Sequence, residues 1–254
     1  MNKVFQSDFL VYKNQIQYFI DGFDTSGIQL GNAKRNSIKL FQLNDETVNV
    51  KAFKIPNIFN QIAYKYFRKS KAQRSFEYAN KLEKMGIGTP KPIAYFEYST
   101  PFLFKKSFYV SCQLECDLTY RELILDANYP NHEEILRAFT RFTYRLHEKG
   151  ILFKDHSPGN TLIKKTADGY QFFLVDLNRM DFTEITVADR INNFSRLTPK
   201  KEMVAIMSNE YSKLIGINEK ELFNQMWKHT EEFQKKFYKK KALKQKYFFW
   251  KNKK

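Results

Sequence analysis

From Gly27 to Phe53 the chain reads GIQLGNAKRNSIKLFQLNDETVNVKAF, with apolar residues near every second position between polar interruptions. Period two marks strands with one buried face. Three short strands are therefore predicted, separated by a turn at Gly31 to Asn36 and a tight turn at Asn44-Asp45. From about Asn57 the period lengthens. A Lys- and Arg-rich helical segment leads into RSFEYANKLEKMG, where Phe76, Ala79, Leu82 and Met85 share a face and Gly86 supplies the stop. PKPIAYFEYS and KKSFYVSCQL return to a strand pattern. Residues 1–114 thus read as a sheet-rich half with one important helix.

Beyond residue 115 helices dominate. TYRE (119–122) and NHEE (131–134) both match the capping-box pattern, and the second opens a helix with Ile135, Phe139, Phe142 and Leu146 on one face, ended by Gly150. TLIKK and YQFFLVD flank an ADG turn and predict a β-hairpin. NEKE (218–221) starts a last helix with Leu222, Met226, His229 and Phe233 on a face. Neither an internal repeat nor a Pro/Gly/Ser linker separates the halves, so 1–254 is expected to be a single bilobal unit, 1–114 and 115–254.

Composition narrows the class. The 254 residues are 43% hydrophobic and 17% aromatic, enough for a folded core. Lys+Arg 43 against Asp+Glu 27 leaves a net charge of +16, which attracts phosphates or an anionic membrane face. Cys112 and Cys116 are too few for a disulfide scaffold and lack a second ligand pair for zinc, so they are read as reduced core or cleft residues. With no membrane-spanning run and no secretory pattern at the N-terminus, the expected address is cytoplasmic.

Candidate chemistry centres on GILFKDHSPGNTLI (150–163), where Asp155 and Asn160 sit five residues apart across a Pro-Gly turn. Such residues are ordinary in turns. The hairpin changes that reading, because its second strand ends in FLVDLNR and delivers a further carboxylate, Asp176. Transfer of a γ-phosphoryl group requires positioning and charge neutralisation more than covalent help. Asp155 would orient the acceptor hydroxyl and take its proton; Asn160 and Asp176 would bind Mg²⁺ through oxygen. Lys51, at the end of V-N-V-K, would pair with nucleotide phosphates, with Lys54 as a competitor. Glu77 on the following helix would fix Lys51 by an ion pair. His147 and His156 are read as packing and hydrogen-bonding residues.

With V-N-V-K at 48–51, Glu77 in SFEYANKL, LHEKGI at 146–151, D-H-S-P-G-N at 155–160 and D-L-N at 176–178 in that order, the chain resembles the protein-kinase-like superfamily. DLNR at 176–179 and the basic FRKSKAQRS before the Glu77 helix make it most similar to the lipopolysaccharide kinases, above all the Kdo kinases. The resemblance implies an α+β kinase-like fold, an antiparallel N-terminal sheet with one key helix and a mostly helical C-terminal lobe. It also implies ATP and Mg²⁺ as cofactors and a sugar hydroxyl of the lipopolysaccharide core, or of Kdo-lipid A, as acceptor. Gly31 with Lys34 and Arg35 would then cover the phosphates, and Glu115 and Cys116 would fall at the adenine-facing hinge.

Three features depart from ordinary kinases: Phe153 and Lys154 replace His and Arg before the loop aspartate, Asn178 replaces the glycine of D-F-G, and no A-P-E follows. The tail KKFYKKKALKQKYFFWKNKK (235–254) has lysines and aromatics and no acid. It is read either as a solvated helix end or as an anchor on an anionic membrane, with Tyr247, Phe248, Phe249 and Trp250 entering the interface. The second reading places the protein at the inner face of a bacterial inner membrane. Nucleic acid would feel the same charge but is not the expected partner. The rivals are a protein or small-molecule kinase on this scaffold, and a non-catalytic kinase-like module that binds anionic lipid or nucleic acid.

Overall fold

The structure, a computed structural model, describes residues 1–32 and 36–247. The chain falls into two compact units, Met1–Cys116 with Phe173–Arg179, and Asp117–Phe172 with the chain from Met180 onward.

In the first unit β1 (Asn2–Phe5) leads through a 3-10 turn (Ser7–Tyr12) into α1 (Lys13–Asp21). There follow β2 (Ile28–Leu30), β3 (Asn36–Leu43), β4 (Glu46–Phe53), α2 (Ile58–Tyr66), α3 (Lys71–Lys84), β5 (Pro92–Ser99) and β6 (Phe104–Cys112). The strands form an antiparallel sheet in the order β1-β5-β6-β4-β3-β2. The hairpin joining β3 and β4 turns at Asn44, whose φ of 51° is a left-handed value that asparagine tolerates.

Alternation along β4 sorts its side chains between two cores. Val48 and Val50 enter a cluster with Ile16, Phe19, Ile20 and Phe23 from α1 and its C-terminal turn, and with Phe41, Phe96 and Phe108. Phe53 points the other way, into a cluster with Ala72 and Phe76 of α3 and Tyr95. Lys51, two residues before Phe53, shares that second face. The sequence reading assigns no element to residues 1–26, although Ile16, Phe19, Ile20 and Phe23 recur at i, i+3, i+4 and i+7, and α1 supplies a large part of the first core. Full burial of each such Phe or Ile is worth about 1.5–3 kcal/mol.

The helical stretch after Asn57 is two helices. Asn57 Oδ1 accepts from Asn60 N (3.0 Å) and caps α2; Ser70 Oγ accepts from Gln73 N (3.1 Å) and caps α3. Each cap holds its own backbone extended, which interrupts the helix before α3. Phe76, Ala79 and Leu82 of α3 are buried as the spacing predicts, while α2 has no buried residue.

The second unit holds β7 (Leu118–Thr119), α4 (Tyr120–Leu125), α5 (His132–Glu148), β8 (Ile151–Phe153) and β9 (Thr161–Thr166). Then come β10 (Gly169–Leu174), whose last two residues already belong to the first unit, β11 (Met180–Phe182), α6 (Val187–Asn193), α7 (Lys201–Ile215) and α8 (Glu219–Tyr247). Thr119 and Glu122 form the predicted capping box on α4. Asn131 does not form the predicted capping box on α5: its φ of 60° is left-handed and its side chain takes no cap hydrogen bond. The predicted face of α5 is buried nonetheless. Leu222 and Met226 of α8 are buried with Thr230, whereas His229 and Phe233 are only half-buried.

Gly150 ends α5 with φ 67°, and a Cβ there would meet Thr183 O at 2.8 Å. Glycine is therefore required both by conformation and by close approach. Cys112 and Cys116 are free thiols; Cys116 is exposed, which removes the core position from the two expected for it. Burial, with Glu46 beside it, pushes the Cys112 thiol up to about 11. Among the described residues no helix is long and apolar enough to cross a membrane.

Candidate active site

In the first unit the site is built around Asp176. Its segment is docked on the unit by a parallel bridge between Gly88 and Phe173, with Leu174 N donating to Gly88 O (2.9 Å) and Thr89 Oγ1 donating to Leu174 O (2.9 Å). Leu177, three residues past the strand, is buried. Between these anchors Asp176 takes a φ of 59°, uncommon for a residue with a side chain and found where a fold holds a functional group in place. Lys51 Nζ lies 2.7 Å from Asp176 Oδ1, and Asn178 Nδ2 donates to the same oxygen at 2.7 Å. Both donors meet Oδ1, so Oδ2 takes no part in either bond. Lys51 is largely buried and its ammonium also lies 5.4 Å from the centre of the Phe53 ring. Lys54, the competitor, is exposed.

Glu77 corrects an expectation. It does not pair with Lys51; Lys69 Nζ reaches its Oε2 at 2.8 Å and Gln73 Nε2 its Oε1 at 3.0 Å. The local reason is that Lys69 and Gln73 flank the N-cap of the helix bearing Glu77, and Gln73 stands one turn before it, while Lys51 has a nearer carboxylate in Asp176. Gly31 sits in the turn after β2 with φ 67°. Lys34 and Arg35 lie outside the described residues. Glu115 and Cys116 both expose their side chains at the end of the first unit.

In the second unit the site is the loop from Lys154 to Asn160. Asn160 Nδ2 donates to Asp155 O (2.8 Å), bridging the five residues of the turn. Only the amide nitrogen can donate to a carbonyl, so the Asn160 side-chain oxygen is left for another partner. Gly159 is required by close approach, since a Cβ would meet Arg121 Nη2 at 2.6 Å.

Two residues that the sequence reading did not single out secure this loop. Arg196 Nη1 donates to Lys154 O (2.8 Å) and to Asp155 Oδ1 (3.0 Å), while its guanidinium lies 5.3 Å from the centre of the Phe233 ring. Asn193 Nδ2 donates to Phe153 O (2.9 Å), which turns its Oδ1 toward two histidines. His147 Nε2 donates to that oxygen at 3.1 Å and His156 Nδ1 at 3.3 Å; Tyr211 Oη is 2.6 Å from His147 Nδ1 and must donate to it. Burial pushes both imidazoles far down, His147 to about 4 and His156 to about 3, so both are neutral. They are structural, as the sequence reading has them. No sequence signal marks Arg196 and Asn193: they lie in RINNFSRLT (190–198), where polar residues outnumber the buried Ile191, Phe194 and Leu197.

Lys154 is ion-paired with Asp181. A concavity of about 280 Å³ beside the loop is lined by Leu152, Lys154, Asp189, Asn192, Asn193, Ser195 and Arg196. No cluster of three or more His, Cys, Asp or Glu able to hold a metal occurs among the described residues. The oxygens not engaged in the bonds above, Asp176 Oδ2 and Asn160 Oδ1, each suit a hard cation whose remaining ligands come from phosphate and water, the usual state of Mg²⁺.

Comparison with known proteins follows the same line. The model of the lipopolysaccharide kinase (Kdo/WaaP) family matches residues 52–217. That range includes Glu77, Asp155, Asn160 and Asp176 and begins one residue after Lys51. A solved structure described as WaaP in complex with acyl carrier protein aligns with a TM-score of 0.63, covering 91% of this chain and 99% of that one at 16% identity. At that identity the likeness is one of fold: a mixed α/β chain with an antiparallel sheet and a helical C-terminal part. No curated protein matches the chain.

Proposed function

Because the chain belongs to the lipopolysaccharide kinase (Kdo/WaaP) family, we propose that it transfers the γ-phosphoryl group of ATP to a sugar hydroxyl of the lipopolysaccharide core, Kdo or a neighbouring core sugar. The observation that carries the reading is the 2.7 Å pair between Lys51 and Asp176, 125 residues apart in sequence. It joins a cation suited to phosphate with a carboxylate suited to a metal.

The roles follow from each residue's setting. Lys51 would hold nucleotide phosphates. Asp176 and Asn160 would hold Mg²⁺, which when bound neutralises phosphate charge. Asn178 keeps one carboxylate oxygen of Asp176 engaged and so aims the other. Asp155 would orient the acceptor hydroxyl and accept its proton late in the transfer, with Arg196 holding its carboxylate in place. The protein would work at the cytoplasmic face of the inner membrane. Its basic tail would lie against anionic lipid; Phe248, Phe249 and Trp250 of that tail lie outside the described residues.

The test is transfer of label from radiolabelled ATP by the purified protein to lipid-linked Kdo acceptors and, separately, to proteins. Label is expected in the glycolipid and to be lost in Asp155→Ala. Label entering only protein would refute the acceptor. Equal ATP turnover in wild type and Asp155→Ala would refute the role of Asp155.

A further inference from the structure

We infer that α2 and the chain flanking it form a surface that docks on an anionic membrane. The observation is the direction in which the helix faces. Ile58, Phe59, Ile62 and Tyr66 occupy positions i, i+1, i+4 and i+8 and share one side of the helix. All four are exposed, Phe59 to 80%. Tyr64, on the opposite side, packs edge-on against Phe104 of β6 with ring centres 5.6 Å apart. The helix thus rests on the sheet and turns its apolar stripe outward. Ile55 before it and Phe67 after it are also exposed. Tyr66 Oη, 3.4 Å from Pro101 O, brings the exposed Phe102 beside the stripe.

Charge selects the occupant. From Thr47 to Phe76 there are seven Lys and Arg and no Asp or Glu. Lys54, Arg68, Lys69 and Lys71 are exposed around the stripe, and Lys69 is the one paired with Glu77. An apolar stripe rimmed by cations is the composition of helices that lie in the headgroup region of anionic bilayers. Ile58, Phe59 and Ile62 carry no side-chain polar atom to give a protein partner directional recognition, and a membrane requires none. The inference deepens the lipid-linked acceptor proposed above, but its test uses neither ATP nor acceptor, so either can fail alone.

The full chain is sedimented with vesicles of phosphatidylglycerol mixed with phosphatidylcholine and with vesicles of phosphatidylcholine alone. Wild type is expected to prefer the anionic vesicles, and Phe59→Ser with Ile62→Ser to lower partitioning about ten-fold or more. Both side chains are exposed, so the melting temperature is expected to hold. As a second measurement, Phe59→Trp is expected to add emission that brominated lipids quench beyond the wild-type level, with or without residues 235–254. Unchanged partitioning of the double variant, or added emission from Phe59→Trp that the brominated lipids leave unquenched, would overturn the inference. So would normal vesicle binding by the double variant with a loss of self-association in ultracentrifugation, which would make the stripe a contact between copies of the chain.

Discussion

Asp155 and Asp176 are both carboxylates held by a cation, yet their supports differ. Asp176 is placed by its backbone: a strand end bridged to Gly88, a left-handed φ, and two donors on a single oxygen. Asp155 sits in a loop whose own backbone bonds are few, and it is placed by side chains from further along the chain, Arg196 directly and Asn193 through Phe153. The difference suits their proposed tasks. A metal ligand must present a fixed oxygen, whereas a group that aims a hydroxyl and receives its proton must hold its carboxylate at a set height.

The largest test separates these tasks. Asp176→Asn is expected to lower phosphoryl transfer by about a thousand-fold and to raise the Mg²⁺ concentration for half-activity, since the amide takes away the charge a hard cation needs. Asp155→Asn should lose roughly 10²–10⁴-fold in kcat with the Mg²⁺ dependence unmoved. Transfer measured across a Mg²⁺ titration decides it; equal shifts in both variants would erase the distinction.

A smaller effect is expected from the positioning residue. Arg196→Met should reduce kcat by about ten- to a hundred-fold with little change in the KM for ATP, because it takes away the donor that fixes Lys154 O and Asp155 Oδ1. Arg196→Lys should restore little of that loss, as lysine supplies charge without the fork that spans Lys154 O and Asp155. Full recovery of kcat in Arg196→Lys would make charge alone, and not the fork, what Arg196 supplies.

Acidification should weaken the support of Asp155 through its histidines. His147 and His156 fold with pKa values near 4 and 3, below the 6.5 of the free side chain. Below about pH 6.5 the unfolded chain takes up protons that the folded one refuses. Stability is therefore full above that pH and declines as pH falls toward 4, by about 1.4 kcal/mol per pH unit for each histidine. Thermal unfolding between pH 7 and 4 checks this. His156→Phe should flatten the decline and cost little at neutral pH, since His156 Nε2 is buried without a partner among the described residues and the ring packs between Phe139 and Phe153. An equally steep decline in that variant would discard the account.

Much of the fold was legible in residues. Alternation located β3, β4, β5 and β6, and three- and four-residue spacing located α3 and α5, because burial of one face imposes those periods. The same spacing was present in α1 and its C-terminal turn, in Ile16, Phe19, Ile20 and Phe23, and went unread because the polar residues between them and the shortness of the segment masked it. The sequence reading also merged α2 with α3, although Asn57 and the S-K-A-Q of 70–73 are N-cap signals in the sequence, because the Lys- and Arg-rich residues between them hide the break. Within the candidate site, Asp155, Asn160, Asp176 and Lys51 are proposed from residue type, order and the ends of predicted strands. The partners could not. Glu77 turned to Lys69, and Arg196, Asn193 and Asn178 took up support that no local pattern announces.

The sequence by itself determined which residues carry charge and which elements alternate or spiral, because these depend on side-chain chemistry and on neighbours within a turn or a strand. Only the tertiary structure decided that Lys51 meets Asp176, that Arg196 meets Asp155, and that α3 turns its apolar face inward while α2 turns its own outward. Each of those outcomes depends on a surface made from distant parts of the chain, and one helix's periodicity holds no information about what it will be packed against.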